Sequence, residues 1–146
     1  MSPSFSIITP CFRGADFLPR AHESLVNQIG NHTFEWIIVD DFSNDDGKTE
    51  DAIKDLIAKS PLIIKSKYLE ENHYGALSTY TGALLAEGEY GIILDQDDML
   101  HKNALTIFEK HIRKYQAVPN FAGVCGRCQK LDGTLIGTPS SVGEQL

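Results

Sequence analysis

The sequence predicts an open α/β domain, three layers deep, with a mainly parallel sheet and helices on both faces. Three observations carry that expectation. Apolar runs of strand length alternate four times with segments of helical periodicity. The second run, Trp36-Ile-Ile-Val39, is nearly continuous in apolar residues, as strands covered on both faces are. Three of the runs also end in loops rich in polar and charged residues, as at the carboxyl edge where open α/β sheets bind ligands.

The elements follow in order. Ser4 to Thr9 reads as a first strand, stopped by Pro10. Phe17, Leu18, Ala21, Leu25 and Ile29 then recur at helical spacing, with Asp16 placed to cap and Pro19 tolerable in the first turn. Glu35 to Asp40 is a second strand, and a polar loop runs from Asp41 to Gly47. Ala52, Ile53, Leu56 and Ile57 mark a helix that ends before Ser60-Pro61. Leu62 to Tyr68 is a third strand, followed by the loop Glu70 to Gly75. Ala76, Leu77, Tyr80, Ala83 and Leu84 define a third helix, closed by Gly88. A fourth strand runs into Leu94, and a fourth helix carries Ala104, Leu105, Phe108 and Ile112. From Phe121 the chain reads as a hairpin with Asp132-Gly133 at its turn. With no repeats or linkers, residues 1–138 are expected to form one domain. Residues 139–146, rich in Ser and Gly, are expected to form a disordered tail.

At 146 residues, 42% hydrophobic and 23% charged, the chain is long enough for a proper core. Its 13 basic and 20 acidic residues give a net charge of −7, which argues against a nucleic-acid surface. It suits a protein that recruits cations to hold an anionic ligand. No apolar run reaches transmembrane length and the N-terminus lacks a signal peptide's pattern, so a cytoplasmic site is expected. Cys11, Cys125 and Cys128 are too few for a disulfide framework. Cys125-Gly-Arg-Cys128 has the spacing of zinc and redox sites but neither a second ligand pair nor a helix start, and is read as structural thiols.

The stretch Tyr90-Gly-Ile-Ile-Leu-Asp-Gln-Asp-Asp98 is the most informative. It delivers Asp95, Asp97 and Asp98 within four residues at a strand end. Packed carboxylates repel and lose hydration unless something positive neutralises them. Mg²⁺ or Mn²⁺, completed by phosphate oxygens, is one answer; solvated acids capping the next helix are the other. The loops Thr9-Pro-Cys-Phe-Arg13 and Asp40-Asp41-Phe-Ser-Asn-Asp-Asp46 would converge on the same edge if the strands are parallel. Together they offer an aromatic, a cation and carboxylates, an inventory suited to a nucleoside diphosphate. GxGxxG and GxxxxGK[ST] are absent, and an EF-hand starting at Asp41 fails at Asp46 and Ala52.

Ser6-Ile-Ile-Thr-Pro-Cys-Phe-Arg13, Ser24-Leu-Val-Asn-Gln28, Phe34-Glu-Trp-Ile-Ile-Val-Asp-Asp-Phe-Ser43, Asn72, Gly88-Glu-Tyr90 and Leu94-Asp-Gln-Asp-Asp98 resemble, in order and spacing, the successive motifs of family 2 glycosyltransferases. The resemblance runs from residue 4 to about 100. It implies the GT-A fold, a Rossmann-like sheet, and inverting transfer from a nucleotide-diphosphate sugar with Mg²⁺ or Mn²⁺ at a DxD-type motif. By position, it makes Pro10 and Phe12 a wall of the base pocket and Asp41, with Asp40 beside it, the acceptor for the base's N–H. Asp97 takes the main metal role, with Asp95 on the sugar or ribose side and Asp98 a further ligand. Asn72 and the loop to Gly75 lie near the diphosphate-sugar, and Thr9, Arg13 and Gln96 complete the donor-binding set.

Two positions depart from the family's pattern. Arg13 stands where an Asn is usual, and Thr79 and Tyr80 occupy the helix where an Arg is common. The family's catalytic base lies beyond the metal motif. Of the later acids, Glu109 falls on a helix, Asp132 at a hairpin tip and Glu144 in the tail, so no catalytic residue is identified within the chain. The expectation is therefore the donor-binding part of a longer enzyme, with a UDP-sugar as donor and a saccharide or lipid-linked acceptor. The setting would be surface-polysaccharide assembly, cytoplasmic and peripheral to the membrane's inner face. The alternative is a non-catalytic nucleotide-sugar or metal-binding module. A phosphoacceptor domain is rejected because the acid pair follows the second strand rather than the first. His101 is left outside the metal set, and a homo-oligomer would cover an exposed sheet edge.

Overall fold

The computed structural model describes residues 4–137; the expected tail at 139–146 lies outside them. The described residues fall into two compact units, one up to residue 106 and one from residue 107 on. The first contains a four-stranded sheet of β1 (Phe5–Cys11), β2 (Phe34–Asp40), β3 (Ile63–Tyr68) and β4 (Tyr90–Ile93), in the order β3-β2-β1-β4. Every pairing is parallel. The helices α1 (Leu18–Val26), α2 (Lys48–Lys59) and α3 (Ala76–Leu85) connect successive strands. The expected open parallel α/β sheet is what the chain forms.

The central strands β1 and β2 are buried almost throughout, which accounts for their unbroken apolar sequence. Alternation along β2 separates the two faces. Trp36 points towards α1, where His22 stacks on its ring at 6.0 Å. Val39 points to the opposite face, against α3. Helices therefore cover both faces.

Pro10 does not stop β1, which continues to Cys11 with Pro10 paired to Val39. Cys11 O accepts from Asp41 N–H on the β2 side, and Ile8 O accepts from Leu94 N–H on the β4 side. Alternation turns Pro10 towards β4, whose ladder ends at Ile8–Ile93. The missing N–H falls where no partner strand runs, so the strand tolerates it.

The third helix forms where expected but buries the opposite face. Ser78 and Gly82 are its buried residues, while Leu77, Tyr80 and Leu84 are exposed. A Cβ on Gly82 would collide with Ile8 Cγ2, so the glycine lets the helix lie close on the sheet. The first helix starts at Leu18 with no side-chain cap from Phe17 and ends at Val26, short of Ile29.

The helix α4 (Ala104–Tyr115) carries the chain into the second unit. There the expected hairpin is reduced to one bridge, Gln129–Leu135. Lys130 N–H donates to Thr134 O at 2.8 Å around the turn that contains Asp132-Gly133. Residues 121–128 form no strand. Cys125 and Cys128 are exposed free thiols.

Candidate functional site

A cleft of about 630 Å³ opens at the carboxyl edge of the sheet. Pro10, Cys11 and Phe12 line it from the end of β1, Asp41 from the end of β2, and Asn72, Tyr74, Gly75 and Ser78 from the loop into α3. Asp95, Gln96 and Asp97 line it from the loop after β4. The parallel strands bring these loops together, as the sequence led us to expect.

Side-chain bonds to backbone stitch the loops to one another. Asp41 is 2% exposed, and its two carboxylate oxygens accept from His73 N–H at 2.9 Å and Gly75 N–H at 2.8 Å. Its charge thereby fixes the loop that starts α3. Asn72 Oδ1 accepts from Tyr74 N–H at 2.8 Å. Gln96 pairs with the Phe12 peptide through both ends of its amide. Arg20 on α1 donates from Nη2 to the Asp97 carbonyl at 2.6 Å.

Backbone strain gathers at the same edge. Arg13, Phe42, Asn44, Asp46 and Tyr74 all have positive φ in these loops. For side chains such as Phe, Arg and Tyr that region is costly, and such strain concentrates at ligand sites.

Four of the sequence-predicted residues stand outside the cleft lining. Thr9 is buried, and its Oγ1 accepts from Trp36 Nε1 at 2.8 Å. Asp40 is buried and accepts from the Ser43 hydroxyl and from Ser43 N–H. Burial raises its carboxyl above the usual aspartate value; Ser43 opposes this, while the charges of Asp45 and Asp41 add to it. Arg13 lies over the Phe12 ring at 5.2 Å, and its main-chain N–H donates to Ser43 Oγ at 2.8 Å. Asp98 belongs to the acidic turn, and its carboxyl is raised by burial first and then by the charges of Asp97 and Asp95, against Arg20.

Three lining residues were missed. Cys11 is a buried thiol pushed up to about 12, by burial and then by the Asp40 charge, so it is an inert wall. Ser78 lies in the first turn of α3, on the face that the apolar pattern did not select. Tyr74 is almost fully exposed beside the cleft, and its place directly after Asn72-His73 was the available signal.

Among the described residues no three His, Cys, Asp or Glu side chains form a ready-made metal cage. The donor chemistry nevertheless fits Mg²⁺ or Mn²⁺. Asp95 and Asp97 put two carboxylates on the cleft wall, and such ions take one or two carboxylates and complete their shell with phosphate oxygens and water. The N-terminus of α3, which has no side-chain cap, meets the cleft at Gly75 and Ser78 and turns the positive end of its dipole there.

Comparison with known proteins bears on the fold and the family. Over 102 residues the chain is 38% identical to the poly(ribitol-phosphate) beta-N-acetylglucosaminyltransferase TarP of Staphylococcus aureus, covering 68% of this chain and 30% of that protein. Over 125 residues it is 34% identical to the minor teichoic acid biosynthesis protein GgaB of Bacillus subtilis, covering 80% of this chain and 13% of that one. The crystal structure of S. aureus TarS 1–349 in complex with UDP superposes with a TM-score of 0.69 at 29% identity, over 77% of this chain and 33% of that one. The chain thus spans a third or less of each of these relatives. A mannosyltransferase from Pyrobaculum calidifontis, at 21% identity and a TM-score of 0.64 over 82% of this chain and 34% of that one, shares the fold. That fold is GT-A. The model of glycosyl transferase family 2 matches residues 6–131, and the chain belongs to that family.

Proposed function

We propose that this chain is the donor-binding part of an inverting glycosyltransferase that takes a UDP-sugar together with Mg²⁺ or Mn²⁺. The observation that carries the reading is the cleft, which Asp95 and Asp97 line together with Phe12 and Asp41. Phe12 and Pro10 offer an apolar wall to the base. Asp41, braced by two backbone N–H groups, keeps lone pairs for the base's N–H. The start of α3 faces the diphosphate, and Asp95 and Asp97 hold the cation. When bound, the cation supplies positive charge to the diphosphate as it leaves. The UDP complex of TarS supports uracil as the base.

The acceptor hydroxyl must lose a proton to a carboxylate. Among the described acids after the metal motif, Glu109 pairs with Arg113, and Asp132 accepts from Thr134 N–H in its own turn at 2.8 Å. Neither lines the cleft, so neither is read as the base, and we expect no transfer by this chain alone. The same observation favours a second reading, a non-catalytic nucleotide-sugar module with the same donor site. The names of TarP, a poly(ribitol-phosphate) transferase, and GgaB, a teichoic acid biosynthesis protein, support a polymer of that kind as acceptor. A saccharide or lipid-linked acceptor at the cytoplasmic face of the membrane belongs to the same proposal. No helix among the described residues is long and apolar enough to cross a membrane.

Calorimetric titration of UDP, with Mn²⁺ and then with EDTA, tests the donor site. Binding that requires Mn²⁺ and is lost in Asp97→Ala is the expected result. Equal binding in EDTA, or an unchanged Asp97→Ala variant, would remove the cation from the account.

A further inference from the structure

Gln96 sits between the two carboxylates of the cleft wall, yet its side chain is committed to a different loop. Oε1 accepts from Phe12 N–H at 2.8 Å, and Nε2 donates to the Phe12 carbonyl at 3.0 Å. A side-chain amide that satisfies both backbone groups of one residue does the work of a neighbouring strand. It takes over where the strands part: the last main-chain bond between them runs from Leu94 N–H to Ile8 O. Gly14 closes in on the same amide. A Cβ there would come within 2.6 Å of Gln96 Oε1 and 2.5 Å of Cys11 Sγ, so Gln96 has a backbone wall against it and little room to swing. On the other side, Arg20 holds the Asp97 carbonyl. The acidic turn and the Phe12 loop are thereby joined by two bonds at a point flanked by Asp95 and Asp97.

Resting on the reading of Asp95 and Asp97 as cation ligands, we propose that Gln96 is a positioning residue that couples the cation to the nucleobase. When a divalent ion orders the acidic turn, the Gln96 amide passes that order to the Phe12 peptide, and so to the wall against which the base lies. By linkage, the base then favours the ion by the same factor. A neutral amide is the group this task needs. Glutamate would keep the acceptor for Phe12 N–H but turn an oxygen towards the Phe12 carbonyl, and alanine would remove both bonds.

The test uses ¹⁵N-labelled chain titrated with Mg²⁺ alone, and then with uridine in the presence and absence of Mg²⁺. Uridine has no phosphate to bridge to the ion, so any effect of Mg²⁺ on its affinity passes through the protein. In the wild type the Phe12 amide should titrate at the same midpoint as the Asp95 and Asp97 amides, and Mg²⁺ should tighten uridine about fivefold or more. In Gln96→Ala the Asp95 and Asp97 amides should still titrate, Phe12 should stay still, and Mg²⁺ should leave uridine affinity unchanged. Gln96→Glu, which keeps one bond, should show a reduced Phe12 response, and carries the test if the alanine variant does not fold. The coupling is overturned if Phe12 stays still in the wild type while the acidic turn titrates. It is equally overturned if Mg²⁺ does not tighten uridine, or if Gln96→Ala keeps the wild-type gain. Silence of Asp95 and Asp97 themselves would sink the cation reading, a separate and visible result, and the coupling with it.

Discussion

The two ends of the sheet treat negative charge in opposite ways. At the amino edge, Glu35 is 1% exposed, yet every demand of its carboxylate is met from within. Oε1 accepts from the Ser6 hydroxyl at 2.6 Å and from Glu87 N–H at 2.7 Å, and Oε2 pairs with Lys65 at 2.7 Å. Burial alone would raise this carboxyl; the bonds from Lys65, Ser6 and Glu87 outweigh it and hold it below the usual glutamate value. At the carboxyl edge, Asp95, Asp97 and Asp98 share one turn, and Arg20 spends Nη2 on a carbonyl rather than on a carboxylate. There the balance goes the other way, and Asp98 is raised. The lesson is one of division of labour. Charge at the amino edge is compensated internally, whereas under the proposed function the charge of the acidic turn is left for the cation to neutralise.

The largest expected effect comes from breaking the compensated end. Glu35→Ala leaves Lys65 with Glu87 alone and removes the acceptor for the Ser6 hydroxyl and Glu87 N–H, at a cost of about 3 kcal/mol in urea unfolding. The UDP affinity of the folded variant should stay within about twofold, because the cleft is at the other edge. Since the folded value of Glu35 lies below the ordinary 4.5, its contribution is present above that value and lost as pH falls through the lower folded one. Glu35→Gln should therefore flatten the acid limb of the stability curve.

Asp41→Ala sharpens the contrast, because this buried acid serves both fold and ligand. Loss of its bonds to His73 and Gly75 N–H should cost about 2 kcal/mol in urea unfolding. It should also weaken UDP at least about tenfold by calorimetry, as the loop into α3 loosens. Weakened stability with intact UDP binding would place Asp41 on the structural side only.

The smallest effect is a gain. The folded value of Asp98 is raised, so its ionisation costs stability as pH rises through and beyond the ordinary 3.8. Asp98→Asn should stabilise the fold slightly at neutral pH, by less than about 1 kcal/mol for so exposed a side chain and read as a small rise in melting temperature, and not at all well below that value. A loss at neutral pH would show that the acidic turn is compensated after all.

Much of the frame was legible because hydrophobic periodicity reports burial directly. The central strands and the acidic turn could be read because Trp36 to Val39 and Ile92 to Asp98 have few other uses. The face of α3 was not legible. Its buried side is made of Ser78 and Gly82, selected for closeness to Ile8 rather than for apolarity, so the pattern of large residues pointed outwards. Pro10 misled for a related reason, since a proline breaks a strand only where the ladder needs its N–H. In the site, sequence named the residue types but not their partners. Thr9 turned out to serve Trp36 on the neighbouring strand, a pairing that depends on register, and Asp40 to serve Ser43 three residues on, inside its own turn. Glu35 looked like an ordinary strand residue, because its three partners come from residues 6, 65 and 87.

The most direct test of this division of labour is the shift in melting temperature caused by UDP with Mn²⁺, measured side by side in wild type, Asp97→Asn and Glu35→Gln. The expected result is a ligand-induced rise in wild type, its loss in Asp97→Asn, and a rise of wild-type size from a lower baseline in Glu35→Gln. An equal rise in Asp97→Asn, or its loss in Glu35→Gln alone, would contradict the account.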